Sequence, residues 1–286
     1  MITQPDQFLY RMNPIQFRLL RDFIYRQCGL WFDDSQMNFF KNRLVDRLKA
    51  LDITSFNKYY YYILYDKNRD EEFLNIIDIL TTNETYFFRE KSQLKAFSEE
   101  ILPLIRQDSR GTESPELKIW SAGCSTGEEA YTVAMLILET KQFPGWDIDI
   151  LATDISPRVL SIGRKGIYSK SSFRSCEPYY IDKYFTKDEF GYRIKDSVRR
   201  YVDFARLNLL DKNRLNLIRN MDVIFCRNVI IYFDLEAKKK VIESLYDCLK
   251  PNGFLLLGHS ESLASISTKF ELRHFQYDMV YQKKKL

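Results

Sequence analysis

Between Leu117 and Leu257, short apolar runs alternate with longer stretches of helical character. That rhythm admits few folds, because strands alternating with helices pack as a parallel sheet covered on both faces. The run L-K-I-W-S-A reads as a buried strand. It closes in the turn Gly123-Cys-Ser-Thr-Gly127, and E-E-A-Y-T-V-A-M-L-I-L continues as a helix. D-I-D-I-L-A-T-D is a second strand ending on Asp154. Ser156 and Pro157 suit the N-cap and first position of the helix after it. M-D-V-I-F-C is a third strand, and a helix from Leu235 to Leu249 stops at the breaker K-P-N-G. F-L-L-L-G is a further strand, and F-E-L-R-H-F with M-V-Y-Q-K predicts a closing antiparallel pair. The pattern is that of a doubly wound α/β sheet. From Gly166 to Leu210 the rhythm breaks. The short alternating runs F-G-Y-R-I-K and Y-V-D-F-A-R-L predict a small antiparallel β insertion at about 166–207.

The first eighty residues carry a different period. Phe17, Leu20 and Ile24 recur at helical spacing behind Pro14, which suits a first helical position. A second helix is predicted from about Ser35, with the stripe Met37, Phe40, Leu44, Leu48 and Leu51. Arg43 and Arg47 lie four apart, on one face away from that stripe. Thr54 reads as the N-cap of a Tyr-rich helix and Asp70 as that of E-E-F-L-N-I-I-D-I-L. Two domains follow: a helical one over 1–80 and an α/β one over 81–286.

Composition removes whole classes of function. Only two histidines, His259 and His274, are present, which excludes His-rich zinc sites and most His-based acid–base chemistry; no metal is expected. The cysteines Cys28, Cys124, Cys176, Cys226 and Cys248 are odd in number and dispersed, so they read as free thiols of a reducing cytoplasm. No apolar run approaches the roughly 18 residues needed to span a bilayer. The opening M-I-T-Q-P-D-Q-F-L lacks a basic start followed by an apolar stretch, which predicts no signal peptide. Charge is unevenly spread: residues 155–219 hold 15 basic and 7 acidic side chains, while 81–154 hold 7 and 13. The basic stretch suggests a surface for an acidic partner, although an ordinary solvated face explains it as well. Nucleic acid is not expected, since the pI is about 8.6 and no basic run is longer than the K-K-K of 238–240 or of the terminus.

Ligands of open α/β sheets bind at the carboxyl ends of strands. The glycine Gly123 lets backbone approach a ligand there without a Cβ in the way. The turn is neither a P-loop nor G-x-G-x-x-G. Asp154, at the tip of the next strand, is placed to accept hydrogen bonds from two ribose hydroxyls. A turn without a phosphate cradle, followed by a strand-terminal acid, favours S-adenosylmethionine over NAD or ATP.

Six motifs occur in order: Thr82-Asn-Glu-Thr-Tyr-Phe-Phe-Arg89, Trp120-Ser-Ala-Gly-Cys-Ser-Thr-Gly-Glu-Glu129, Ala152-Thr-Asp154, Asn208-Leu-Leu210, Phe225-Cys-Arg-Asn-Val-Ile-Ile-Tyr-Phe233 and Gly258-His-Ser-Glu-Ser262. Together they resemble the CheR-type chemotaxis receptor methyltransferases over nearly the whole chain. One departure is Ala130, where the family often has Pro; either suits a first helical turn. The resemblance implies a class I S-adenosylmethionine-dependent methyltransferase fold with an all-helical N-terminal domain for receptor recognition. It implies methyl transfer to glutamates on the cytoplasmic coiled coil of chemoreceptors, with S-adenosylhomocysteine as the other product. Asn83, Thr85 and Arg89 match cofactor-contacting positions. Arg89 is expected to pair with the methionine carboxylate and Glu129 to meet the polar methionyl end. Asn208 and Leu209 are expected to frame the adenine, and Arg227 and Asn228 to line the pocket. Tyr232 is expected near the transferred methyl, so Arg89 and Tyr232 are the expected catalytic pair.

Further expectations concern packing and partners. Phe87, Phe88, Ile230 and Ile231 are expected in the core, Cys124 and Cys226 as small buried fillers, and His259 as a structural hydrogen-bonder. Arg43 and Arg47 are the candidate contacts to acidic receptor helices. Some members of the family bind a C-terminal receptor pentapeptide through the β insertion, and this looks to depend on a glycine-rich loop. Here that stretch is compact, with Gly191 its one glycine, so such a tether is not expected. A monomer in peripheral association with membrane receptors is expected. Two alternatives stand beside this reading: a methyltransferase for another acidic protein, and a signalling adaptor that keeps only the cofactor pocket.

Overall fold

The computed structural model describes residues 10–109 and 113–284. The opening M-I-T-Q-P-D-Q-F-L, which bears on the leader expectation, lies outside the described residues. The chain divides into two compact units. One runs through Asn83 and takes in Tyr232–Asp234; the other comprises Glu84–Ile231 and Leu235–Leu286.

The first unit is helical. Its helix Pro14–Cys28 begins where the sequence predicts, with Pro14 in the first turn. Asn13 and Gln16 form a reciprocal capping box that satisfies two otherwise orphaned N–H groups. Phe17, Leu20, Ile24 and Cys28 make its buried stripe. The second helix, Met37–Ala50, starts slightly later than predicted, because a 3-10 turn over Asp34–Gln36 capped by Asp33 comes first. Phe40, Leu44 and Leu48 are buried as the stripe requires, while Met37 and Leu51 are half-buried. Ser55, not Thr54, caps Phe56–Tyr65. Helix Arg69–Leu80 has Asn68 at its N-cap, which moves Asp70 into the first turn, where a negative charge suits the helix dipole. Tyr232–Asp234 joins this unit through a bridge between Phe233 and Leu30. The Trp31 N–H also donates to the Tyr232 carbonyl at 3.0 Å.

The second unit is built on a seven-stranded sheet. Its strands are β1 (Glu116–Ala122), β2 (Asp147–Asp154), β6 (Val202–Arg206), β7 (Met221–Cys226), β8 (Leu249–Leu257), β9 (Phe270–His274) and β10 (Met279–Lys283). Their order is β6-β2-β1-β7-β8-β10-β9. The first five run parallel, and β10 pairs antiparallel with both β8 and β9, which gives the closing pair predicted from sequence. Strand β7 is buried along its whole length, as a central strand covered on both faces should be. Because β2 and β7 flank β1 on opposite sides, the chain reverses direction across the sheet at β1. That switch point is where open α/β sheets place their ligands.

The insertion is a three-stranded antiparallel sheet, β3 (Ile167–Tyr168), β5 (Gly191–Ile194) and β4 (Phe185–Asp188), in that order. The run Y-V-D-F-A-R-L does not belong to it. Val202–Arg206 pairs parallel with β2 and forms the edge of the main sheet. Half-buried alternation is common to edge strands of any sheet, so the pattern alone could not choose between them.

Candidate active site

In the second unit the carboxyl ends of β1, β2, β6, β7 and β8 carry the loops that hold the predicted site. Gly123 follows β1 with φ +80°, a left-handed conformation suited to glycine. Its N–H and that of Cys124 donate to the Thr153 carbonyl at 2.8 and 2.9 Å. The turn is thereby tied to the end of β2. A Cβ on Gly123 would lie 2.4 Å from Val229 Cγ2, so the loop after β7 needs this glycine as well. Asp154 receives the Ser125 N–H at 2.9 Å and the Ser156 N–H at 3.0 Å, one on each carboxylate oxygen. Its orientation beside the turn is therefore fixed by backbone. Cys124 and Cys226 are buried, and burial holds both thiols well above their ordinary pKa, which leaves them packing residues.

Arg227 is the hub of the site. Its side chain is only 2% exposed. It donates to Glu90 Oε2 at 2.9 and 3.2 Å, to Glu129 Oε2 at 3.2 Å and to the Arg89 carbonyl at 2.6 Å. Glu129 also accepts from Ser121 Oγ at 2.7 Å. Burial raises the Glu129 pKa, and Arg227 opposes that rise. Arg89 stands between two non-glycine residues in the left-handed region, Phe88 (φ 61°) and Glu90 (φ 57°). Each such residue costs on the order of 1 kcal/mol or more, and such residues concentrate at functional sites. The Arg89 side chain donates to the Glu84 carbonyl at 2.8 Å.

The remaining predicted residues separate between the units. Thr85, Arg89, Gly123, Glu129, Asp154, Asn208, Leu209, Arg227 and Asn228 lie in the second. Asn208 accepts from the Leu210 N–H at 3.0 Å, which shapes the loop after β6, and Leu209 is buried. Asn83, Tyr232, Arg43 and Arg47 lie in the first unit. The Tyr232 hydroxyl donates to the Thr82 carbonyl at 2.9 Å and accepts from its N–H at 3.3 Å. Arg43 is exposed, over the Phe39 ring at 5.2 Å. Arg47 instead turns onto buried Glu72, which also accepts the Tyr59 hydroxyl. Phe87, Phe88 and Ile230 are buried as expected, but Ile231 is 47% exposed, because its short 3-10 turn points it outward.

Sequence reasoning misses three acids. Glu90 follows a motif rather than closing one, so no pattern singles it out. Glu128, beside Glu129, is buried and accepts Thr126 Oγ1 at 2.6 Å and Ser172 Oγ at 3.0 Å. The tandem acids at the helix start are the available signal. Glu261 sits in G-H-S-E, a stretch in which the histidine is the more conspicuous residue. His259 is a hydrogen-bonder as expected, paired with Asp278 at 3.0 Å.

Comparison with known proteins agrees with this layout. Residues 15–81 match the model of the CheR methyltransferase all-alpha domain, and residues 83–279 that of the CheR methyltransferase SAM binding domain. Chemotaxis protein methyltransferase 2 of Vibrio cholerae is 37% identical over 269 residues, covering 93% of this chain and 92% of the relative. The chemotaxis protein methyltransferase of Escherichia coli is 35% identical, covering 92% and 89%. That of Borreliella burgdorferi is 32% identical, covering 92% and 94%.

Proposed function

The chain belongs to the CheR family of chemotaxis receptor methyltransferases, and on that premise we propose how its residues divide the work. The enzyme transfers a methyl group from S-adenosylmethionine to glutamate side chains of bacterial chemoreceptors, forming glutamyl methyl esters. When bound, the cofactor supplies an electrophilic methyl group on a sulfonium. A receptor glutamate, with an ordinary pKa near 4.3, is already a carboxylate at neutral pH and needs no base. The rate then comes chiefly from proximity and alignment, which can supply about 7–11 kcal/mol.

The donor set fits the cofactor. Glu90 and Glu129 share the single guanidinium of Arg227, so this buried cluster has one carboxylate in excess. An excess negative charge in a low-dielectric site complements a ligand carrying an ammonium and a sulfonium. Asp154 holds the ribose hydroxyls, Asn208 and Leu209 frame the adenine, and Gly123 allows close approach of the turn. Arg89 pairs with the methionine carboxylate, Glu129 takes its amino group, and Arg227 and Asn228 line the pocket. Thr85 completes the part of the site that lies in the second unit. The observation that carries this reading is the fixed Asp154 carboxylate at the tip of β2, beside the glycine turn.

Residues 1–80 recognise the receptor, with exposed Arg43 facing acidic helices of its cytoplasmic coiled coil, and the enzyme acts as a monomer without a peptide tether. The experiment that tests the function is incubation with methyl-labelled cofactor and receptor fragments. Label released from glutamates by mild base is the expected result; alkali-stable label would refute ester formation. The pocket reading is tested by Asp154→Ala. Loss of charge-assisted bonds, each worth roughly 1.5–3 kcal/mol, should weaken S-adenosylhomocysteine binding at least tenfold in calorimetry. Unchanged affinity would refute it.

A further inference from the structure

The acid of the G-H-S-E stretch has no part in the division of labour above, yet it bonds four backbone groups. Glu261 Oε2 accepts the N–H groups of Asn228 and Gly258, both at 2.7 Å. Its Oε1 accepts those of Val229 at 2.9 Å and Ile231 at 3.2 Å. These donors come from two loops, one after β7 and one after β8. The strands are parallel neighbours that end level, Cys226 beside Leu257, so one carboxylate spans both tips. Gly258 makes the approach possible: a Cβ there would lie 2.7 Å from Asn228 Nδ2 and 2.9 Å from its backbone nitrogen. Asn228 itself is held in the left-handed region at φ 58°.

The clamped loop reaches the cofactor site in two directions. Arg227, immediately before it, carries the ion pairs to Glu90 and Glu129. Val229, within it, fills the space beside the α-carbon of Gly123. The path of this loop therefore sets both the Arg227 hub and one wall of the glycine turn.

We propose that Glu261 is a positioning residue for the cofactor: its carboxylate holds Asn228–Ile231 in the conformation that presents Arg227 and Asn228 to the pocket and seats Val229 against the turn. The proposal rests on the pocket reading given above. A glutamate is needed because both oxygens must accept. Glutamine would turn an NH2 group toward two of the four N–H donors.

The test compares Glu261→Gln, Gly258→Ala and Asp154→Ala with the wild type. Calorimetry with S-adenosylhomocysteine, thermal unfolding and steady-state kinetics are measured for each. Glu261→Gln is expected to lose at least tenfold in S-adenosylhomocysteine affinity. KM for S-adenosylmethionine should rise to match, while kcat at saturating cofactor changes less than threefold. Gly258→Ala keeps the carboxylate but pushes Asn228 away, and should shift affinity in the same direction. If Asp154→Ala loses binding while both other variants stay within twofold of wild type, the clamp is refuted and the pocket stands. If Asp154→Ala binds normally, the pocket reading fails and takes this proposal with it. A fall in kcat with unchanged KM and affinity would also overturn the proposal. Should Glu261→Gln fail to fold, Gly258→Ala decides on the same affinity criterion.

Discussion

A buried carboxylate must find partners or hold its proton, and Glu128 does some of each. It is 2% exposed, and the hydroxyls of Thr126 and Ser172 are its donors. Burial raises its pKa above the ordinary 4.5, against the pull of those hydrogen bonds. The folded protein therefore binds this proton more tightly than the unfolded chain does. Stability from this group is greatest in acid and is lost as pH rises through its folded pKa, so at neutral pH the ionised side chain is a cost. Glu128→Gln keeps the shape and removes the charge, and both hydroxyls can turn to suit an amide. The variant is expected to melt at or above the wild-type temperature at pH 7–8. The gap should close as the pH falls and the wild-type carboxyl takes up its proton. Glu129, Asp222 and Glu261 also have raised pKa values, but they are common to both proteins and cancel in the difference. A variant that melts below wild type by the same margin at every pH would contradict this account.

Three helices of the first unit meet at another acid. Glu72 of Arg69–Leu80 is 2% exposed and takes Arg47 from Met37–Ala50 and the Tyr59 hydroxyl from Phe56–Tyr65. The Arg47 side chain is 25% exposed, so the pair is largely shielded from solvent. Removing one partner of such a pair strands the other charge, at a cost of about 3–5 kcal/mol. Arg47→Ala should lower stability to urea by that order. Arg43→Glu, on the exposed side, should change stability by no more than about 0.5 kcal/mol yet slow receptor methylation. If Arg43→Glu leaves methylation rates unchanged, that face does not dock the receptor. This contrast also marks what sequence reveals at the scale of elements. Four-residue spacing puts Arg43 and Arg47 on one side of a helix, but it carries no word of Glu72, 25 residues away. Signals that act within a turn are legible: Pro14 and Ser156 sit at helix starts as read. The cap at Ser55 is misplaced by one, since neighbouring Thr and Ser offer the same chemistry.

At the scale of the whole molecule, ordered motifs make the fold and cofactor class readable from the chain alone. The glycine turn and Asp154 are adjacent in space because their strands are neighbours, and strands consecutive in an alternating chain commonly pair side by side. The role of Glu261 is not readable, because its four donors belong to two loops that only the parallel pairing of β7 and β8 brings together. The insertion carries the last consequence. Gly191 has φ 137°, and a Cβ there would lie 2.5 Å from the Tyr168 carbonyl oxygen. This glycine therefore serves close packing of β5 on β3 and does not open a loop. Asp188 accepts the N–H groups of Phe190 and Gly191 at 2.8 and 3.1 Å and pairs with Arg193, which closes the turn between β4 and β5 tightly. The edge strand β4 is only four residues long, Phe185–Asp188. A peptide added to it would gain few ladder hydrogen bonds, each worth about 0.5–1.5 kcal/mol net. Micromolar affinity requires about −8 kcal/mol, which such a ladder does not supply without deep side-chain pockets. Titration with an aromatic-acidic receptor C-terminal pentapeptide is therefore expected to show no saturable binding in the micromolar range. Receptor fragments with and without that peptide should be methylated at equal rates. One-to-one micromolar binding, or faster methylation of the tethered fragment, would give the insertion a docking role that its short edge and closed turn argue against.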